Sequence, residues 1–185
     1  MFCLAEWGNA NPLTPDYYNK CNYYGIPNGL EPPSTLPDGQ GCIGFLSSEF
    51  TGELIQTCLI DKLDTSQFYI LSAYAGYNRA NAAPSSDPMK LMLFGNSQTC
   101  ASPSYTEFGC PPLTNFEFLT EIDYIFPTSG EGWVFGQSAC FKPTQEHISI
   151  VIGASCGIPG NGYNYLDLVE LKPCTELLEI SFSTR

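Results

Sequence analysis

Apolar positions along this chain come in short runs, and where they show a period it is two. Over residues 147–152, Ile148, Ile150 and Ile152 fall on one face and Ser149 and Val151 on the other. Over 165–171, Leu166, Leu168 and Glu170 oppose Asp167, Val169 and Leu171. Alternation of this kind marks strands that bury one face. Further strand-like runs cover 43–46, 68–74, 90–94, 117–126 and 133–141. No stretch holds a helical period over three turns, and only 53–59 (ELIQTCL) fits either a helical turn or a strand. Turn chemistry separates the runs: IPNG at 26–29, LPDGQG at 36–41, PTSGEG at 127–132 and GIPGNG at 157–162. Short strands at this spacing predict an all-β fold, an antiparallel β-sandwich or jelly roll of about eight strands. Residues 1–185 read as a single jelly-roll domain without internal repeats. Residues 1–40 are aromatic and rich in Asn, Pro and Gly, and read as a long N-terminal ordered loop packed on it.

Charge narrows the function. The chain has 19 acidic against 7 basic residues, a net charge of −12. Without a basic stripe it cannot bind nucleic acid or an anionic membrane by releasing counterions. No apolar run approaches the ~18–20 residues of a membrane-spanning helix, so no membrane insertion is expected. The opening MFCLAEWGNANPLTPDYY lacks the basic-then-apolar layout of a signal peptide, so an exported form is expected to have lost any leader before residue 1.

Nine cysteines, Cys3, Cys21, Cys42, Cys58, Cys100, Cys110, Cys140, Cys156 and Cys174, are dispersed with no C-x-x-C pair, and His147 is the sole histidine. That pattern argues against a zinc site or redox dithiol and for disulfides formed outside the cytoplasm. An odd number leaves at least one thiol over. Cys100 and Cys110 bracket a Ser/Pro-rich loop and are the first expected bridge; Cys3–Cys21 and Cys140–Cys156 come next.

Catalytic constellations are sparse. His147 adjoins a strand of alternating isoleucines and reads as a surface or capping residue rather than the base of a nucleophilic triad. Glu117, Glu121 and Asp123 share one face of an unbroken strand. They are either a glycosidase-like carboxylate set or the charged solvent face of an edge strand. No glycine-rich segment has the strand–loop–helix context of a phosphate cradle. Aromatic residues are more informative. Trp7, Tyr17, Tyr18, Tyr23 and Tyr24 crowd a polar segment, and sugars stack their C–H faces on such rings while Asn and Asp bind hydroxyls. Trp7, Asp16, Tyr17, Asn19 and Tyr24 supply both kinds of group, with Trp133 lining a groove or capping the sandwich. The competing reading is that the rings are the loop's own core.

The segments WGNANPLTPDYYNKC (7–21), GIPNG (25–29), PDGQGCIGF (37–45), ELIQTCL (53–59), FYILSAY (68–74), Trp133, EHISIVIG (146–153) and YNYLDLVEL (163–171) occur in a telling order. In this order they resemble an extracellular domain of Bacteroidetes surface proteins. That domain stands just upstream of gliding-motility-type or type IX secretion sorting domains. The resemblance spans nearly the whole chain and implies a galactose-binding-like jelly roll, the architecture of many carbohydrate-binding modules. Three departures stand out: the family's opening strand has no counterpart, Gly52 replaces an arginine, and Leu168 replaces the second aspartate of an "IDDV" motif. The resemblance makes Asp167 the candidate for a structural calcium; no other cofactor is expected. It also implies an extracellular or cell-surface location. The expected function is a non-catalytic binding or adhesin module that recognises a glycan or a surface protein, as part of a longer chain or surface assembly. The alternative is a structural subunit or spacer of a surface appendage, built through protein–protein contacts; an enzyme acting on glycosides is the remaining class.

Overall fold

The computed structural model describes residues 7–10, 13, 15–19, 30–39, 41–48, 52–80, 89–100, 116–154 and 162–174. Among these residues there are ten strands and no helix. They are β1 (Trp7–Asn9), β2 (Asp16–Asn19), β3 (Gly41–Ser47), β4 (Leu54–Leu63) and β5 (Tyr69–Asn78). The second half holds β6 (Met89–Asn96), β7 (Glu117–Tyr124), β8 (Glu131–Gln137), β9 (His147–Ala154) and β10 (Gly162–Pro173). The segment that sequence left between helix and strand is therefore strand. Two of the expected turns are built as their composition requires, with Gly39 at φ 76° and Gly130 at φ 79°, values that favour glycine.

All pairings are antiparallel and form two five-stranded sheets, β1-β4-β9-β6-β7 (sheet A) and β2-β3-β10-β5-β8 (sheet B). Without β1 and β2, the remaining eight strands wind first–eighth–third–sixth in sheet B and second–seventh–fourth–fifth in sheet A. That is the strand order of a jelly roll. Between the sheets lie Phe45, Leu71, Met89, Leu91, Leu93, Ile152 and Leu166, all at or below 2% exposure. Each fully buried aliphatic contributes about 1.5–3 kcal/mol by leaving water. Smaller clusters cover part of each outer face: Leu54, Phe94, Phe116 and Val151 on sheet A, and Tyr18, Cys42, Tyr163 and Tyr165 on sheet B. Val151 is buried for this reason although it points away from Ile150 and Ile152.

The structure corrects four expectations. First, the N-terminal region is not loop throughout. Trp7–Asn9 pairs with β4 and Asp16–Asn19 with β3, satisfying backbone groups that edge strands otherwise leave open. Second, a bulge at Leu168, whose φ is 47°, resets the alternation of β10. Leu166, Val169 and Leu171 all turn to the core. Third, an irregularity in the β6–β7 pairing beside Leu119 separates the three β7 carboxylates. Glu121 and Asp123 meet Lys90, at 2.5 and 3.5 Å, while Glu117 reaches the buried His147. They form no common acid–base set. Fourth, Cys140 is bridged to Cys174, not Cys156, with the Cα atoms 6.1 Å apart. Tyr69 pairs with Pro173 on one side and Phe141 on the other, which brings the two cysteines together across it.

Candidate functional site

At one side of the sandwich the edge strands β1 and β2 belong to opposite sheets, and the gap between them is open. On β1, Trp7 and Asn9 pair with Thr57 and Ile55; Ile55 is part of the core, so both point between the sheets. On β2, Tyr17 pairs with the core residue Ile43 and turns the same way, whereas Asp16 and Tyr18 turn toward the outer face of sheet B. The result is a cavity of about 200 Å3 walled by Trp7, Asn9, Asp16 and Tyr17 and floored by Ile43 and Ile55. A second cavity of about 300 Å3 shares Trp7, Tyr17 and Ile43 and runs on to Asp38, Leu166 and Asp167. The second reaches the lower edge of the roughly 300–1,000 Å3 range of small-molecule sites, and the first extends it. Tyr17 is 42% exposed, too open for a ring whose task is to fill a core.

Polar groups line the same groove. Asp167 accepts the backbone N–H of Leu168 at 2.7 Å and that of Asp38 at 3.4 Å. Burial pushes its carboxyl up to about 6, the backbone amides pull the other way, and the Asp38 charge adds to the rise. On the outer face of sheet B, behind the groove, Asp16 accepts a 2.5 Å hydrogen bond from the Tyr163 hydroxyl, which in turn lies 2.8 Å from the Tyr18 hydroxyl. Burial, with the Asp16 carboxylate beside it, drives the Tyr163 phenol upward, so Tyr163 stays a proton donor and anchors Asp16.

Among the expected ligand residues, Trp7 and Tyr17 thus meet at one mouth; Asp16 borders it but turns its carboxylate to Tyr163 on the outer face of sheet B, and Asn19 lies two positions beyond Tyr17 on the same face of β2. Tyr24 lies outside the described residues. Trp133 is elsewhere: it sits edge-on to Tyr165, ring centroids 6.5 Å apart, in the cluster on the outer face of sheet B. Residues 30–39 cross that face, where the Glu31 carbonyl accepts the Tyr165 hydroxyl at 2.9 Å and Leu30 and Leu36 pack on the cluster. Asn9 and Asp38 were missed. Asn9 was legible as the second residue after Trp7 on a two-residue period; Asp38 sits in a turn that comes beside Asp167 only through the fold. For the calcium expected at Asp167, no group of three His, Cys, Asp or Glu side chains able to hold a metal ion exists among the described residues.

His147 is wholly buried, not a surface cap. Its Nε2 lies 2.6 Å from Glu117, whose other oxygen accepts the Thr144 amide at 2.7 Å. Cys100 has a free thiol instead of the expected bridge, and Cys110 lies outside the described residues.

No family model matches the chain, and no curated protein is significantly similar to it. Solved structures do resemble it. An arabinose-bound α-L-arabinofuranosidase, MgGH51, matches with TM-score 0.50 and 13% identity over 92% of this chain and 23% of that one. The CBM22-1–GH10 modules of Clostridium thermocellum xylanase 10B, complexed with xylohexaose, match with TM-score 0.51 and 12% identity over 94% and 27%. The fold is a jelly roll shared with part of each of these chains. This jelly roll spans about a quarter of each of those two chains. A family 4 carbohydrate-binding module also aligns, with TM-score 0.42 and 13% identity over 92% of this chain and 96% of that one. No helix among the described residues is long and apolar enough to cross a membrane.

Proposed function

We propose that this jelly roll is a non-catalytic glycan-binding module that works outside the cell or at its surface. The observation that carries the reading is the convergence of Trp7 and Tyr17, from opposite sheets, on both cavities of one groove beside Asn9, Asp38 and Asp167. Rings give a sugar its stacking platform; amide and carboxylate oxygens give its hydroxyls partners. Similarity to chains that hold arabinose and xylohexaose supports the ligand class. The resemblance to domains that precede type IX sorting segments supports the location and an adhesin role. Turnover is not part of the reading: Glu117 is committed to His147, and Glu121 and Asp123 to Lys90.

The test is a glycan array followed by calorimetry, with xylohexaose and cellobiose as the first probes. Tyr17→Ala should weaken binding by about 1–3 kcal/mol, roughly 5- to 150-fold, as for an aromatic interface anchor. Its melting temperature should change little, because the ring is 42% exposed. An array without binders, or an unchanged affinity in Tyr17→Ala, overturns the proposal.

A further inference from the structure

Two of the free thiols stand together on the outer face of sheet A. Cys58 of β4 pairs with Ser149 of β9, and Ser149 pairs in turn with Asn96 at the end of β6. Beyond Asn96 the chain folds back, with Asn96 Oδ1 accepting the Gln98 amide at 2.8 Å, and crosses over this row of residues. The Ser149 hydroxyl donates to the Thr99 carbonyl at 2.7 Å. The Cys58 thiol donates to the Cys100 carbonyl at 3.4 Å, and the Cys100 thiol donates to the Ile148 carbonyl at 3.3 Å. Cys100 is thereby laid directly against Cys58.

We propose that Cys58 and Cys100 are a disulfide-forming pair that clips residues 97–100 onto β4. Other described cysteines do not compete. Cys140 is already joined to Cys174, and Cys42 is buried beneath the tyrosine cluster, where burial raises its thiol far out of the reactive range. The oxidant is a small-molecule disulfide. The exposed Cys58, as thiolate, attacks it, expels one small thiol and leaves a mixed disulfide. Cys100 then attacks the Cys58 sulfur and expels the second small thiol. One S–S bond forms in the protein and one breaks in the oxidant; two electrons and both thiol protons end on the two released thiols. The order fits the electrostatics: the Cys58 sulfur beside it, with burial, pushes the Cys100 thiol up to about 11, which makes Cys100 the resolving partner.

The experiment equilibrates the whole chain with oxidised and reduced glutathione, alkylates the remaining thiols and maps peptides without reduction. The expected result is a peptide pair joined through Cys58 and Cys100. A melting temperature about 10 °C above that of the protein alkylated in the reduced form should accompany it, since the bridge closes a 42-residue separation. In Cys58→Ser, Cys100 should become fully alkylatable and the rise should vanish. Cys100 joined to any other cysteine, or both thiols alkylated after equilibration with oxidised glutathione, overturns the assignment.

Discussion

Removing the Glu117 carboxylate should expose how much the buried end of the sandwich depends on one hydrogen bond to a carboxylate. His147 is 0% exposed, and its ring lies over Gly95, where even a methyl group would sit 2.4 Å from it. Since an ionised carboxylate offers only lone pairs, His147 Nε2–H must be the donor of the 2.6 Å bond. Its Nδ1 is buried with no partner. Glu117→Ala therefore strands a second nitrogen of the same ring in a space closed to water, at about 1–3 kcal/mol, with the lost charge-assisted bond adding to it. The Thr144 amide is exposed and can turn to water, so it adds little. A total of about 3 kcal/mol is expected, or roughly 6–12 °C in melting temperature for a chain of this size. Glu117→Gln should lose less, because its amide oxygen can still accept from His147 Nε2–H.

The pH dependence has a definite sign. Burial by itself would raise the Glu117 carboxyl, but the Thr144 amide and His147 outweigh it and hold the group below its ordinary value. A carboxyl lowered in the folded state stabilises fully above its unfolded pKa and loses that contribution as pH falls through the folded one. The deficit of Glu117→Ala should therefore shrink below about pH 4. Urea denaturation at several pH values reads it as a shifted midpoint with unchanged slope. A loss under about 1 kcal/mol at pH 7, or one that does not shrink in acid, would refute the reasoning.

Two further outcomes concern the groove. Leu168 holds φ 47° at the β10 bulge with 42% of its surface exposed, so Leu168→Gly should leave stability nearly unchanged, the relieved left-handed strain of about 1 kcal/mol offsetting the entropy that glycine returns to the unfolded chain; a thermal midpoint lower by more than about 4 °C would contradict this. Asp167, raised to about 6, binds its proton more tightly folded than unfolded, so its contribution is complete below about pH 4 and is lost as pH rises through 6. Asp167→Asn should remove roughly 2 kcal/mol of that slope, and parallel stability–pH curves for the two proteins would exclude the assignment.

The residue order alone placed seven of the ten strands, because period-two alternation and Gly/Pro turns are properties of neighbours; β1 and β2 read as loop, and the β4 segment fitted a helical turn as well as a strand. It also pointed to Trp7 and Tyr17 as chemistry-bearing, since rings in a polar segment are conspicuous without any fold. Everything that needed partners distant in the chain was decided by the tertiary structure. A one-residue bulge at Leu168 leaves no mark on composition yet inverts the faces of all that follows it, so Val169 and Leu171 read correctly only once β5 is beside them. Trp133 looked like Trp7 in sequence; pairing with β5 set it against Tyr165 on an outer face, while pairing with β4 set Trp7 at the mouth. Likewise the partner of Cys140 was chosen by Tyr69, which pairs on both sides, and the neighbour of Cys100 by a crossing over β9. Spacing along the chain measures how close two cysteines can come, but strand pairing determines which ones meet.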